Sequence, residues 1–196
     1  MKPIERAVHL CVDMQVIFAK GGIWETPWME RVLPTIADIS ARYAAWTIFT
    51  RFITPNSPEE GWGQWRPYFE RWKIATRQSL GGTQLDLVPE LARYVPPAMV
   101  VDKTTYSAFF RSPLAGLLLD KHVHTVIVTG AETDVCVLST VLDAVNFGFR
   151  VIIVEDALCS SSDAGHDALM TMYRLRFTEQ IDLVRAEQLA DLWQPE

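Results

Sequence analysis

The sequence predicts a three-layer α/β/α fold with a mainly parallel central sheet. Three observations carry that expectation. Short, near-continuous apolar runs rich in β-branched residues recur along the chain, the pattern of strands covered on both faces. Amphipathic helical stretches alternate with them, as a parallel sheet with crossover helices requires. The length of 196 residues, with 49% hydrophobic and 21% charged side chains, suits one globular domain that buries its own core.

The first strand is Ala7–Val12 (AVHLCV), which stops at Asp13. A helix follows over Trp28–Tyr43, with Val32, Ile36 and Ile39 on one face and Pro34 interrupting it. Ala45–Thr50 (AWTIFT) is the second strand and leads into Arg51. Ala98–Val101 (AMVV) is the third and leads into Asp102-Lys103. Pro113–Leu119 reads as a helix with Ser112 as N-cap and proline at the first helical position. Thr125–Thr129 (TVIVT) is the fourth strand, ending at Gly130. In Asp134–Phe147, Val137, Val141 and Val145 recur every fourth residue, and Gly148 stands where a C-cap belongs. Arg150–Val154 (RVIIV) ends at Glu155-Asp156, Ser162–Leu175 carries Leu169, Met172 and Tyr173 on one side, and Gln180–Val184 is a weak last strand.

Residues 54–97 break this rhythm. The stretch is rich in proline, carries Trp62, Trp65 and Trp72, and contains Gly81-Gly82. So long a structureless loop is improbable inside a compact domain. It reads as a lid or interface insertion within a single domain spanning 1–196, with a peripheral helix packed on its own domain as the alternative.

Composition narrows the function. The net charge of −6 and the absence of a Lys/Arg block speak against nucleic acid and anionic membrane as partners. The longest apolar runs are too short for a transmembrane helix. In MKPIERAVHLCVDMQ, Glu5 and Arg6 interrupt any secretory h-region. The three cysteines, Cys11, Cys136 and Cys159, are widely spaced without a CxxC, which argues against a disulfide framework or structural zinc. The expected compartment is therefore the reducing cytoplasm.

Ligands of an open parallel sheet bind beyond the carboxyl ends of its strands. The residues there are Asp13, Arg51, Lys103, Gly130–Cys136 and Asp156. Cys136 follows a strand and a tight GAETDV connection at the start of a helical pattern. Unpaired N–H groups at a helix start favour a thiolate; a small buried core cysteine is the competing reading. Cys11, inside a strand, and Cys159, in a loop, read as inert. Asp13 is a candidate proton acceptor or a turn residue. Lys103 is a candidate partner for a thiolate, an oxyanion or a substrate carboxylate, or a solvated strand end. His122 and His124 have metal-like spacing but no third ligand nearby, and no HxxxH, GxSxG, GxGxxG or GxxxxGK[ST] motif occurs.

Three segments together, VHLCVDMQVIF, VVDKTTYSAFFRSPL and VIVTGAETDVCVLSTVLDAVNFGFRVIIVEDAL, resemble the isochorismatase-like cysteine hydrolases, in the same order and over nearly the whole chain. The superfamily includes nicotinamidases, N-carbamoylsarcosine amidases and ureido-amide hydrolases. The resemblance implies the isochorismatase-like (Rossmann-like) form of the α/β/α fold and an Asp13–Lys103–Cys136 catalytic triad. It also implies a non-proline cis peptide at Ala131–Glu132, and an oxyanion hole from the backbone N–H groups of Glu132 and Cys136. It implies cysteine-dependent hydrolysis of a small amide or ureido C–N bond through a thioester, with no cofactor, by a homo-oligomer (dimer or tetramer) acting on a small molecule. Two departures bear on this. Nicotinamidases of the superfamily carry a metal-binding D-x-H after the second strand, where this chain reads Thr50-Arg51-Phe52-Ile53-Thr54-Pro55. True isochorismatases lack the thiol, so vinyl-ether hydrolysis is a lesser alternative. A peroxide-reactive Cys136 and a non-catalytic binding protein are the others. Phe18, Trp24, Arg51, Trp62, Trp65, Tyr106 and Phe110 are the expected pocket residues, suiting a small flat or apolar group. Arg51 and Arg66 are candidates to hold a carboxylate, and Glu132 an amine.

Overall fold

Apolar strands at 7–12 and 125–131 can be buried on both faces only at the centre of a covered sheet, and that is where they lie. The computed structural model describes residues 2–195. Its six strands are all parallel: β1 (Ala7–Val12), β2 (Thr47–Phe52), β3 (Met99–Lys103), β4 (Thr125–Ala131), β5 (Arg150–Cys159) and β6 (Ile181–Val184), in the order β3-β2-β1-β4-β5-β6. Every residue of β1 and β4 is buried. They pair in register from Ala7 opposite Thr125 to Val12 opposite Gly130.

The period-two alternation of each strand feeds two cores. Val8, Leu10 and Val12 face one side, against α4 (Leu114–Asp120), α5 (Leu138–Asn146) and α6 (Asp163–Arg176). Ala7 and Cys11 face the other, against α1 (Met29–Arg42) and α7 (Ala186–Leu192). The 54–97 stretch packs on this second side through α2 (Trp65–Arg71) and α3 (Pro89–Ala92), and buries Phe69, Ala75 and Leu91 there. His9 is a polar residue inside this core. Its ring nitrogens meet Thr47 Oγ1 (3.1 Å) and Thr129 Oγ1 (2.8 Å), and burial lowers its pKa to about 3, so a neutral imidazole ties β1 to both neighbours.

Most elements lie where the sequence predicts them, and the differences have local causes. β2 begins at Thr47 because residues 44–46 form a short 3-10 turn. Pro113, next to Ser112, takes the N-cap position of α4, while the Ser112 hydroxyl accepts the Leu114 N–H (3.2 Å). β5 runs five residues past Val154, through the acidic pair and a register shift. Glu155 and Asp156 are tolerated in a strand because Arg174 (3.0 Å) and Arg185 (3.3 Å) pair with them. Asp156 is thereby removed from the strand-end group, and it also accepts the Ala186 N–H at the start of α7 (2.9 Å).

The chain steps outward from β1 through β2 to β3, then returns to the other side of β1 and steps outward again through β4, β5 and β6. The segments leaving β1 and β4 therefore diverge, which opens a crevice at the sheet's carboxyl edge. Gly130 makes this edge possible. Its φ is +109°, and a Cβ there would stand 2.1 Å from the Val12 carbonyl oxygen. Gly130→Ala is expected to destabilise the fold by about 2–4 kcal/mol, read as a fall in the urea midpoint. A variant with an unchanged midpoint would contradict the close approach of β1 and β4.

Candidate active site

Asp13 leaves β1 with φ 49°, a left-handed conformation that Asp tolerates better than most residues. Its backbone N–H donates to Thr50 Oγ1 (3.1 Å), and the Thr50 hydroxyl donates to Asp13 Oδ1 (2.6 Å). The other carboxylate oxygen lies 2.6 Å from Lys103 Nζ, with both side chains fully buried. Lys103 belongs to β3, two strands away. Two strand spacings are about 10 Å, a gap that only a long side chain bridges. On the way the ammonium crosses the Phe52 ring (5.0 Å to its centroid) and donates to the Thr105 carbonyl (3.0 Å).

Cys136 reaches the pair from β4. Asp13 and Lys103 are the charged groups that act on its sulfur. The sulfur lies in the first turn of a continuous helical run, as the sequence predicts: Thr133–Val137 forms a π-turn that leads directly into α5 at Leu138. Burial pushes the thiol well above its ordinary pKa; the Lys103 ammonium opposes this and the Asp13 carboxylate adds to it. Burial lowers the pKa of Lys103, but Asp13 and Cys136 beside it raise it to a net upward shift, so the ammonium stays charged. The resting group is thus a protonated thiol between a carboxylate and an ammonium. Cys11, pushed up to about 12 by burial, and Cys159, also raised by burial, are thiols sealed in the core.

The turn that carries Cys136 is pinned from below. The Ala131–Glu132 peptide is cis. The Glu132 carbonyl accepts the N–H groups of Val135 (3.1 Å) and Val137 (3.0 Å). The Thr133 hydroxyl reaches the Cys159 carbonyl (3.2 Å) and His166 Nδ1 (2.9 Å), and Asp134 accepts the Ser160 hydroxyl (2.6 Å).

A cavity of about 500 Å³ opens onto Cys136. Phe18, Trp24, Tyr106 and Glu132 line it, as do Phe52, Tyr68 and Trp72, which the sequence reading missed. Four expected pocket residues are not among its walls. Arg51 points away because Thr50 and Phe52 occupy the site face of β2; its guanidinium takes Asp102 (2.8 and 2.9 Å) and Asp86 (3.4 Å). Trp62 and Phe110 are 80% and 54% exposed. Trp65 stands behind the wall, against Tyr106 (4.8 Å). Arg66 reaches the Glu59 carbonyl (3.4 Å) on the exposed side. The available signal was the spacing of Trp65, Tyr68 and Trp72, which places all three on one side of a helix. Thr50 had no signal, because its role depends on strand register. A larger groove, about 800 Å³, lies at the opposite edge of the sheet and contains none of the three reactive groups.

Among the described residues no three His, Cys, Asp or Glu side chains gather as a metal would require. The segment where nicotinamidases carry D-x-H presents an arginine engaged with carboxylates and an aromatic ring. These donors do not fit a metal ion, and no step below passes through one.

Fold and site define a class: an open α/β enzyme with acid, ammonium and thiol at its switch point. The chain belongs to the isochorismatase family, whose domain model, Isochorismatase domain, matches residues 7–184. It is 29% identical over 177 residues to Nicotinamidase 3 of Arabidopsis thaliana, covering 90% of this chain and 84% of that one. It is 39% identical over 177 residues to ureidoacrylate amidohydrolase RutB of Enterobacter sp. (strain 638), covering 78% and 75%. The fold superposes on a cysteine hydrolase from Pseudomonas syringae pv. phaseolicola with a TM-score of 0.80 at 22% identity, covering 97% and 96%. The protein is thus an isochorismatase-family hydrolase, with relatives named as amidohydrolases.

A protonated resting thiol has a measurable consequence. Iodoacetamide should alkylate Cys136 at pH 7 at least about tenfold more slowly than it alkylates free cysteine, since the thiolate is the nucleophile, and the rate should still be climbing at pH 9. Mass spectrometry of the Cys136 peptide reads this directly. A fast reaction that levels off below pH 7 would mean a stable thiolate instead.

Proposed function

We propose that this protein is a cysteine-dependent hydrolase that cleaves the C–N bond of a small amide or ureido substrate through a thioester. One observation carries the reading: a buried carboxylate and a buried ammonium, paired at 2.6 Å, act on a single sulfur that lines an open cavity. The names of the nicotinamidase and ureidoacrylate relatives support amide and ureido chemistry as the class.

Asp13 takes the Cys136 proton, and the Lys103 ammonium stabilises the thiolate as it forms. The sulfur adds to the carbonyl carbon. The negative charge that develops on oxygen settles on the backbone N–H groups of Glu132 and Cys136. Asp13 then gives its proton to the departing nitrogen, the C–N bond breaks, and an acyl thioester remains on Cys136. A water enters, Asp13 removes its proton, and hydroxide attack releases the acid and regenerates the thiol. A protonated resting thiol suits this cycle, because the Asp13 carboxylate that removes the proton becomes the acid that later returns it. A peroxide-reactive thiol is the weaker alternative: the sulfur is held protonated by burial, and the other two cysteines are sealed in the core.

Ammonia release should be detectable across a panel of primary amides, carbamoyl amines and ureido acids. On the best of these, Cys136→Ala should reduce turnover to background, and Asp13→Asn should lower kcat by about 10²–10⁴. Rapid acid quench should show the acyl mass on the Cys136 peptide. Wild-type turnover by Cys136→Ala would refute the scheme.

A further inference from the structure

The cavity above Cys136 has a marked charge character. Six of its walls are aromatic: Phe18, Trp24, Phe52, Tyr68, Trp72 and Tyr106. Trp24 is central, with Phe18 stacked on it (5.8 Å), Phe52 and Tyr68 tilted against it (6.0 and 6.3 Å) and Trp72 meeting it edge-on (5.9 Å). The ionisable side chains among its walls, apart from the tyrosines and Cys136, are both acids, Glu132 and, at the exposed rim, Glu25. Among the described residues no Lys or Arg lines it. Arg51 is taken by Asp102 and Asp86, and the Lys103 charge is matched by Asp13.

Glu132 is held in place without being neutralised. Its Oε1 accepts the Thr26 hydroxyl (3.1 Å) and the Ser161 N–H (3.2 Å). No cationic side chain pairs with it among the described residues. An oriented carboxylate without a counter-ion, framed by ring faces that carry negative quadrupole density, attracts a positive charge from both directions. The reaction reinforces the demand. Sulfur addition creates an oxyanion in a cavity that already holds Glu132, and a positive charge on the substrate offsets that repulsion.

On the hydrolytic reading above, we propose that the substrate is an amide or ureide bearing a cationic nitrogen, an alkylammonium or a protonated heterocycle, seated among Trp24, Tyr68 and Tyr106 and paired with Glu132. Acids of the ureidoacrylate kind, for which one relative is named, are disfavoured here because no cation lines this cavity to receive their carboxylate. Burial above all raises both cavity tyrosines, Tyr68 and Tyr106, so each keeps its proton.

The test uses three primary amides with nearly the same skeleton: 4-(aminomethyl)benzamide (cation), 4-ethylbenzamide (neutral) and 4-carbamoylphenylacetate (anion). Binding is measured by calorimetry on full-length Cys136→Ala, which separates charge selection from chemistry. The cation should bind about 10²-fold more tightly than the anion, given that like-charge juxtaposition costs several kcal/mol, with the neutral amide between them. Added salt should weaken cation binding. Glu132→Gln, made in the Cys136→Ala background, should reduce the cation-to-neutral ratio at least tenfold. That ratio is taken within one protein, so a general loss of folded molecules cancels. Equal affinities, a preference for the anion, a ratio unmoved by Glu132→Gln, or no binding of any of the three overturns the proposal. Selective binding of the cation with no ammonia release by the wild type would uphold it and overturn only the hydrolytic reading.

Discussion

The ion pair between Asp13 and Lys103 is the interaction on which the rest of the site depends. Removing two charges from water costs several kcal/mol per ion, and the attraction between them offsets this only when their remaining polar atoms are also satisfied. Here Thr50 donates to one carboxylate oxygen, while the Thr105 carbonyl and the Phe52 ring serve the ammonium. The pair also spans three strands, so it exists only while β1, β2 and β3 keep their register. A one-residue slip of β3 would carry Lys103 to the opposite face and bring Asp102 to the site. Gln15 secures the β1–β2 part of that register from just past the end of β1. Its amide donates to the carbonyls of Phe52 (3.2 Å) and Leu85 (2.7 Å), and its Oε1 accepts the Phe52 N–H (2.7 Å).

The same geometry decides the state of the thiol. A helix start favours a thiolate, but Cys136 is buried there, and the Lys103 ammonium that acts on it is already matched by an acid. The cavity follows the same logic, since Lys103 lies behind Phe52 with its charge matched and leaves Glu132 to set the sign of the field that a ligand meets.

The sheet was legible because burial on both faces leaves a direct mark: β1 was read to the residue, and the starts of β4 and β5 were read correctly. Errors fell where polar residues sit inside an element. Glu155 and Asp156 read as a strand end, and only the arginines paired with them show why the strand continues. Arg51 read as a pocket residue because it follows an apolar run. Alternation along β2 instead aims it at its register partner Asp102. The 54–97 stretch was conspicuous for its tryptophans, yet Trp62 faces solvent while Tyr68 and Trp72 build the cavity wall.

The sequence alone determined the layered α/β class, the positions of acid, lysine and cysteine at three strand ends, and the resemblance to one enzyme family, because strand burial and short motifs are local properties. Only the tertiary structure decided that acid and lysine form one buried pair acting on the cysteine, that Thr50 orients the acid and that burial raises the thiol's pKa. It also decided which aromatics face the cavity and that, among the described residues, no basic side chain joins them. Each of these depends on register and on the electrostatics of burial, which arise between segments tens of residues apart and have no signature within any one of them.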